Sequence, residues 1–197
     1  MKIIEPSATL VDDINATDIY TKIECCGRVC YQSTPKGKPE EFIRMLIKRG
    51  HESVLEHVSL TFHIICDRAV MSELTRHRLA SFSVESTRYV KYGEIEVIMP
   101  PLDEWGLAFR NCHSAAVDAE DRYKSVINSG HPPELARAVL PLCLKSELYM
   151  TANLREWRHI LKLRTSKAAH PQMRIVAGQI LQIFRDKLPV IVEDIQP

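Results

Sequence analysis

The stretch "HVSLTFHII" (57–65), followed by "CDRAVMSELTRHR" (66–78), is where the sequence changes its period. Val58, Leu60, Phe62 and Ile64 alternate with polar neighbours, the pattern of a strand with one buried face. Asp67 then offers a side-chain oxygen at the point where a helix would begin, and "RAVMSELTRHR" continues with helical spacing. A strand that feeds a helix directly sets the expectation for the rest of the chain. Upstream, "KIIEPSATLVDDI" (2–14) reads as an opening strand. "TDIYTKIECCGRVCYQS" (17–33) and "KPEEFIRMLIKRG" (38–50) read as helices, the second opening at a proline and stopping at Gly50.

Downstream, Leu79 to Tyr92 carries little apolar periodicity and reads as a loop. "EIEVIMPP" (94–101) reads as a strand closed by two prolines, and Trp105 to Ser129 as the longest helix, stopped by Gly130. "HPPELARAVLPL" (131–142) opens a further helix on proline, "KSELYMTANL" (145–154) is a strand, and "REWRHILKL" (155–163) a short helix. "HPQMRIVAGQILQIFRDKL" (170–188) is a last helix with an apolar stripe. With no repeat or composition break, residues 1–197 read as a single domain. Its class is α+β, with helices packed around a mostly antiparallel sheet.

Composition narrows the function. Net charge is +1 and charged residues make up 26% of the chain, which argues against a general polyanion binder. No apolar run approaches the ~20 residues that span a bilayer, and the N-terminal residues lack a secretory apolar core. The six cysteines form no CxxC pair and read as reduced thiols in a cytoplasmic protein. No nucleic acid or membrane partner is expected.

Three polar clusters remain. Arg76, His77 and Arg78 end the helix after Asp67, ahead of a hydroxyl-rich loop with Ser81, Ser83, Glu85, Ser86 and Arg88. Cations at a helix C-terminus are ordinary caps, but the loop adds backbone and hydroxyl donors suited to phosphate. On a helix, Arg76 and Arg78 point about 200° apart and would reach different ligands. In the second cluster Arg155, Arg158, His159 and Lys162 share one helical face, opposite Leu154, Trp157 and Leu161; a solvated basic face is the ordinary reading. Arg164 falls on neither stripe. Arg137, among Ala, Val and Leu, requires a specific partner, an acid or a ligand. The third cluster, His51, His57 and His63, with the last two placed on the strand, has no familiar metal-ligand spacing, so no metal is expected. Gly-rich phosphate loops and a G-x-S-x-G elbow are both missing. From the residues alone this is a soluble α+β domain with two Arg-rich anion sites. A nucleotide- or RNA-binding protein without catalysis and a metal-dependent hydrolase are the competing readings.

"RHRLASFSVES" (76–86) also carries an Arg-His-Arg, seven residues, Ser pattern that resembles the signature of flavin-dependent thymidylate synthases. "HESVLEH" (51–57), "STRYVKY" (86–92) and "ARAVLPLCLKSELYMTANLREWRHILKLRTSKAAHPQ" (136–172) are similar to neighbouring blocks of that family. The resemblance covers roughly 45–175. It implies helices around an antiparallel sheet, a homotetramer with active sites at subunit interfaces, and FAD as cofactor. The implied substrates are dUMP, methylenetetrahydrofolate and NADPH.

By that resemblance, Arg76, His77 and Arg78 would contact FAD, with Arg76 also near dUMP. Ser53 would sit beside the flavin and His51 near its ring system. Asn153, Arg155 and His159 match flavin- and folate-side positions. Ser86 and Arg88 would hold the dUMP phosphate region with Arg137, and Arg164 would polarise the pyrimidine as the catalytic residue. Glu85 falls among the substrate-side residues. Glu73 stands where several relatives carry an amide toward the uracil edge. Val84 stands where a polar residue is common and would offer only its backbone N–H to the cofactor.

Overall fold

The computed structural model describes residues 1–30 and 32–196. Tyr31, inside one expected helix, lies outside the described residues. The chain divides into two compact units. The first comprises Met1–Ser7, Ile64–Arg76 and Phe82–Tyr149, and the second Ala8–His63, His77–Ser81 and Met150–Pro197.

The expected opening strand is two strands, β1 (Lys2–Ile3) and β2 (Ser7–Leu10), separated by Ile4, Glu5 and Pro6. Proline lacks the N–H that a continuous ladder would need. Helix α1 (Ala16–Val29) starts on Asn15, whose side chain accepts from the Thr17 N–H, and α2 (Pro39–Lys48) starts on proline. Gly50 stops α2 at φ +72°, a conformation a Cβ would strain. Gly27 of α1 has a different reason to be small: a Cβ there would come within 2.8 Å of the Phe42 ring of α2.

A 3-10 turn, Glu52–His57, precedes β3 (Ser59–Asp67), so His57 precedes the strand on which it was expected. Val58, Leu60, Phe62 and Ile64 are all buried, as their alternation predicts. Asp67 caps α3 (Arg68–Leu74) by accepting from the Val70 N–H at 2.7 Å. The helix ends before the Arg-His-Arg run and not after it. Thr75 turns its hydroxyl back onto the Ser72 carbonyl at 3.1 Å, a local bond that competes with the helical ladder.

The stretch expected as a loop contains β4 (Ala80–Val84). Ala80, Phe82 and Val84 are half-buried and Ser81 and Ser83 exposed, a period of two whose small residues mute its signal. Strand β5 (Glu96–Val97) pairs in parallel with β1. Then follow α4 (Leu107–Asn128), α5 (Pro133–Ala136) with a 3-10 turn at Arg137–Val139, β6 (Lys145–Asn153), α6 (Leu154–Arg164), α7 (Pro171–Lys187) and α8 (Pro189–Val192).

The larger sheet has the order β2-β3-β6-β4. β3 and β6 run antiparallel: the Leu154 N–H donates to the Val58 carbonyl, and the Arg68 N–H to that of Leu144. Thr61 faces Thr151 in the same register, their hydroxyls 2.9 Å apart. The expected α+β class with an antiparallel sheet is therefore observed.

Each unit has its own core. In the first, Ile95, Val97, Ala116 and Leu144 cluster. In the second, Phe62 meets Trp157 edge-on at 4.9 Å and stacks on Phe184 at 5.8 Å. The Trp157 indole N–H is satisfied by the Leu60 carbonyl at 3.0 Å. This aromatic group fixes α6 against β3, and α6 also packs on α7 and on the 3-10 turn. No helix among the described residues is long and apolar enough to cross a membrane.

Candidate active site

In the second unit the site is organised by α6. Asn153 caps the helix, its Oδ1 accepting from the Glu156 N–H at 2.9 Å. The expectation of a solvated basic face on this helix is wrong for Arg158, whose side chain is 1% exposed. Its guanidinium donates to Asp194 at 2.7 and 2.9 Å, to Glu52 at 3.0 Å and to the Ile191 carbonyl. The hydrogen bonds from Arg158 hold the Asp194 carboxyl at about 2. A helical stripe on paper cannot show that a partner 36 residues away folds back over it.

Around this clamp the cations stay accessible. Arg155 is exposed and donates to Glu56 at 2.6 Å, while Lys162 lies 3.3 Å from Asp194. With Asn153, Glu156 and the exposed His159 they line a cavity of about 580 Å³, within the range of small-molecule sites. A second cavity of about 330 Å³ is lined by His51, Ser53, Gly50 and again Arg155. The structure thus brings His51, Ser53, Asn153, Arg155 and His159 to two cavities that share Arg155. Asn153 Oδ1 is committed to the helix cap, which leaves its Nδ2 as donor. Glu52 and Glu56 line the larger cavity and pair with its cations. With those pairs exchanged, Arg155 and Lys162 suit phosphate oxygens and the Asn153 amide a carbonyl, donors that fit a phosphate-bearing heterocyclic cofactor.

His77 follows α3 and is buried, 7% exposed. Its Nε2 accepts from Nε of Arg164, the last residue of α6, at 3.0 Å. Its Nδ1 lies 3.4 Å from Oε1 of Glu156. Burial, together with the Arg164 charge and His159, lowers the imidazole to about 4, so it is neutral at pH 7. Arg78 is exposed beside it.

The first unit carries the other set. Glu73 is half-buried in α3 and Arg76 exposed just past its end. Val84 is half-buried at the end of β4. The Glu85 carboxylate accepts from the Tyr92 hydroxyl at 2.8 Å and from Lys145 at 3.0 Å, which leaves further acceptor sites on its oxygens. Burial, then the bond to Glu85, raises the Tyr92 phenol well above its ordinary value. Ser86 Oγ accepts from the Arg88 N–H at 3.3 Å, and the exposed Arg88 guanidinium donates to Glu134 at 2.9 Å. Arg137, expected to need a partner, is exposed and makes no ion pair among the described residues. It lines a cavity of about 260 Å³ with Arg68 and Thr87.

Sequence reasoning missed Glu156 and Arg68, and noted Glu52 only as a neighbour of the histidine cluster. An Asn-x-x-Glu spacing at 153–156 marks a helix start with an acid in its first turn, and would have drawn attention to Glu156. The structure also gathers His77, Glu156 and His159, with ligand-capable atoms within 4.8 Å of one another. They are not the histidines weighed from sequence for a metal, which were His51, His57 and His63. His77 Nε2 already faces a guanidinium, whose charge opposes a cation at that place.

The chain matches, over residues 10–190, the family model described as thymidylate synthase complementing protein. It belongs to that family. A probable flavin-dependent thymidylate synthase of Mycobacterium phage D29 is 34% identical over 93% of this chain and 86% of the phage protein. The flavin-dependent thymidylate synthase of Corynebacterium efficiens is 34% identical over 97% of this chain and 85% of its own length. A probable one from Mycobacterium phage L5 is 36% identical over 87% and 79%. The family expected from the Arg-His-Arg block is the family found.

Proposed function

We propose that this chain is a flavin-dependent thymidylate synthase that methylates dUMP reductively to dTMP. Methylenetetrahydrofolate supplies the carbon, and NADPH reduces the FAD, leaving tetrahydrofolate and NADP⁺. The reading rests first on the family match, which spans every position assigned to the site from His51 to Arg164. When bound, the flavin supplies the hydride chemistry.

The chain's residues bind and orient. Arg155 and Asn153, with His51, Ser53 and His159, hold the cofactor along the two cavities of the second unit; Arg76, His77, Arg78 and the Val84 N–H complete its contacts. Ser86, Arg88 and Arg137 hold the nucleotide phosphate, and Glu73, Arg76 and Glu85 its remaining polar edge. Arg164 meets the negative charge that develops on the pyrimidine carbonyl and N3 during attack, and a fixed guanidinium stabilises it without reorganising. None of the six thiols is needed as a nucleophile. Ser86 acts in binding, since its hydroxyl accepts from the Arg88 backbone N–H and pairs with no imidazole among the described residues.

The whole chain acts as one synthase domain within a homotetramer in the cytoplasm. Light scattering should then give four times the 22.5 kDa chain mass. The deciding experiment is an absorption spectrum of the purified protein, followed by anaerobic reduction with NADPH. Bands near about 375 and 450 nm that bleach faster with dUMP present are expected. A colourless protein that cannot be reconstituted with FAD would overturn the reading.

A further inference from the structure

We propose that Glu156 and His77 are positioning residues that hold the Arg164 guanidinium through a three-member relay, Glu156–His77–Arg164. This rests on the proposed role of Arg164. The geometry is that of a strut: Glu156 and Arg164 stand on the same helix, α6, eight residues apart, and the buried imidazole bridges them.

The donor at one end decides the state of the ring. An arginine Nε–H only donates, so His77 Nε2 must present its lone pair to it. The neutral ring then carries its proton on Nδ1, which faces Glu156. Protonating His77 would place an N–H against an N–H at 3.0 Å and two cations side by side. Burial and the neighbouring Arg164 and His159 oppose that protonation, so the ring remains an acceptor at neutral pH.

Glu156 is itself fixed. Its backbone N–H is held by Asn153 and its side chain is 9% exposed. A buried acceptor beside an Nδ1–H selects that tautomer, the logic by which a carboxylate orients a catalytic histidine elsewhere. Because a guanidinium is planar, fixing Nε fixes the plane in which the terminal nitrogens lie. A lysine at position 164 would keep the charge and lose the plane.

The groups facing His77 are Arg164, Glu156 and His159. The test reads the tautomer directly, by ¹⁵N chemical shifts of histidine-labelled flavin-loaded protein. His77 is expected as the neutral Nδ1–H form at pH 7; an Nε2–H ring or a charged one would overturn the relay. Glu156→Leu should then lower kcat by about 10²-fold, the scale of a misplaced catalytic group. With kcat taken per bound flavin, since Glu156 also lines the cofactor cavity, KM for dUMP should change little, and Glu156→Gln should restore part of the rate through its amide oxygen. A Glu156→Leu enzyme with the kcat of the parent would overturn the positioning role. Failure of the parent to make dTMP would overturn the functional reading instead, and the tautomer measurement would still decide the relay.

Discussion

Arg158 in the second unit and Arg88 in the first are the same side chain put to opposite uses. Arg158 has 1% of its side chain exposed and meets two carboxylates and a carbonyl, while Arg88 has 56% exposed and meets one carboxylate. A buried guanidinium is tolerable when its charge is balanced and its terminal nitrogens are met, as here, where only Nε lacks an acceptor among the described residues; an exposed pair in water is weak and exchangeable. The first therefore builds the wall that other cations lean on, and the second can leave Glu134 for an incoming anion. Arg164 combines the two, half-buried and braced by His77.

The largest expected effect falls on that braced arginine. Arg164→Ala should lower dUMP-dependent turnover by about 10²–10³-fold, the scale of one lost transition-state donor. Flavin content should stay at the parent level. Turnover within a factor of about two of the parent would remove Arg164 from the chemistry.

Arg158 should affect folding instead. Arg158→Ala strands Asp194 and Glu52 without their buried partner, and breaking such a pair costs about 3–5 kcal/mol. Thermal unfolding should register that as a drop of several degrees at least in Tm. A variant melting with the parent would mean that the clamp is solvated in solution, and would erase the contrast with Arg88.

The two arginines also show what the sequence could carry. The alternation at Val58 to Ile64, the Asp67 cap and the helix stops at Gly50 and Gly130 are local signals, and the structure follows them. Arg158 was misread because its acceptors come from residues 52, 191 and 194, far along the chain. Helical spacing states which residues share a face, and says nothing of what covers that face. β4 was missed for a different reason. Its inward residues, Ala80, Phe82 and Val84, include a small one, and its outward serines resemble turn chemistry. The Arg-His-Arg block was legible as a motif yet wrongly placed on a helix: α3 ends at Leu74, where the Thr75 hydroxyl takes the Ser72 carbonyl. The relay partner Glu156 had only a capping-type spacing to announce it.

Acid titration should separate the buried groups by window. His77 sits at about 4 when folded against an ordinary 6.5, through burial, Arg164 and His159. The unfolded chain thus binds the extra proton between those values, so this contribution is complete above 6.5 and lost as pH falls toward 4. Asp194 sits at about 2 against 3.8 because Arg158 donates to it. Its contribution is complete above about 4 and lost as pH falls toward 2. His77→Gln keeps an acceptor and a donor but cannot titrate, so its Tm should be flatter than the parent's between pH 6.5 and 4. Equal slopes in that window would place His77 in a solvated, ordinary state.

The smallest effect should come from the exposed arginine, and its smallness is informative. Arg88→Ala removes one surface ion pair, for which under about 1 kcal/mol of stability is expected, and flavin content should not change. The same substitution should raise KM for dUMP while leaving kcat near the parent, because a phosphate contact of equal strength in the ground and transition states is uniform binding. Arg88→Lys tests the fork: it keeps a charge for Glu134 and for phosphate but loses the paired donors, so its KM should lie between the two. Glu134→Gln reverses the logic. Freed of its carboxylate partner, Arg88 should bind the nucleotide slightly more tightly, and a lower KM in that variant would show that the exposed pair is a competitor to be displaced. If Glu134→Gln instead raised KM, the ion pair would be holding Arg88 in place for the ligand. The first unit would then brace its arginine as the second does, and the contrast between them would be one of burial alone.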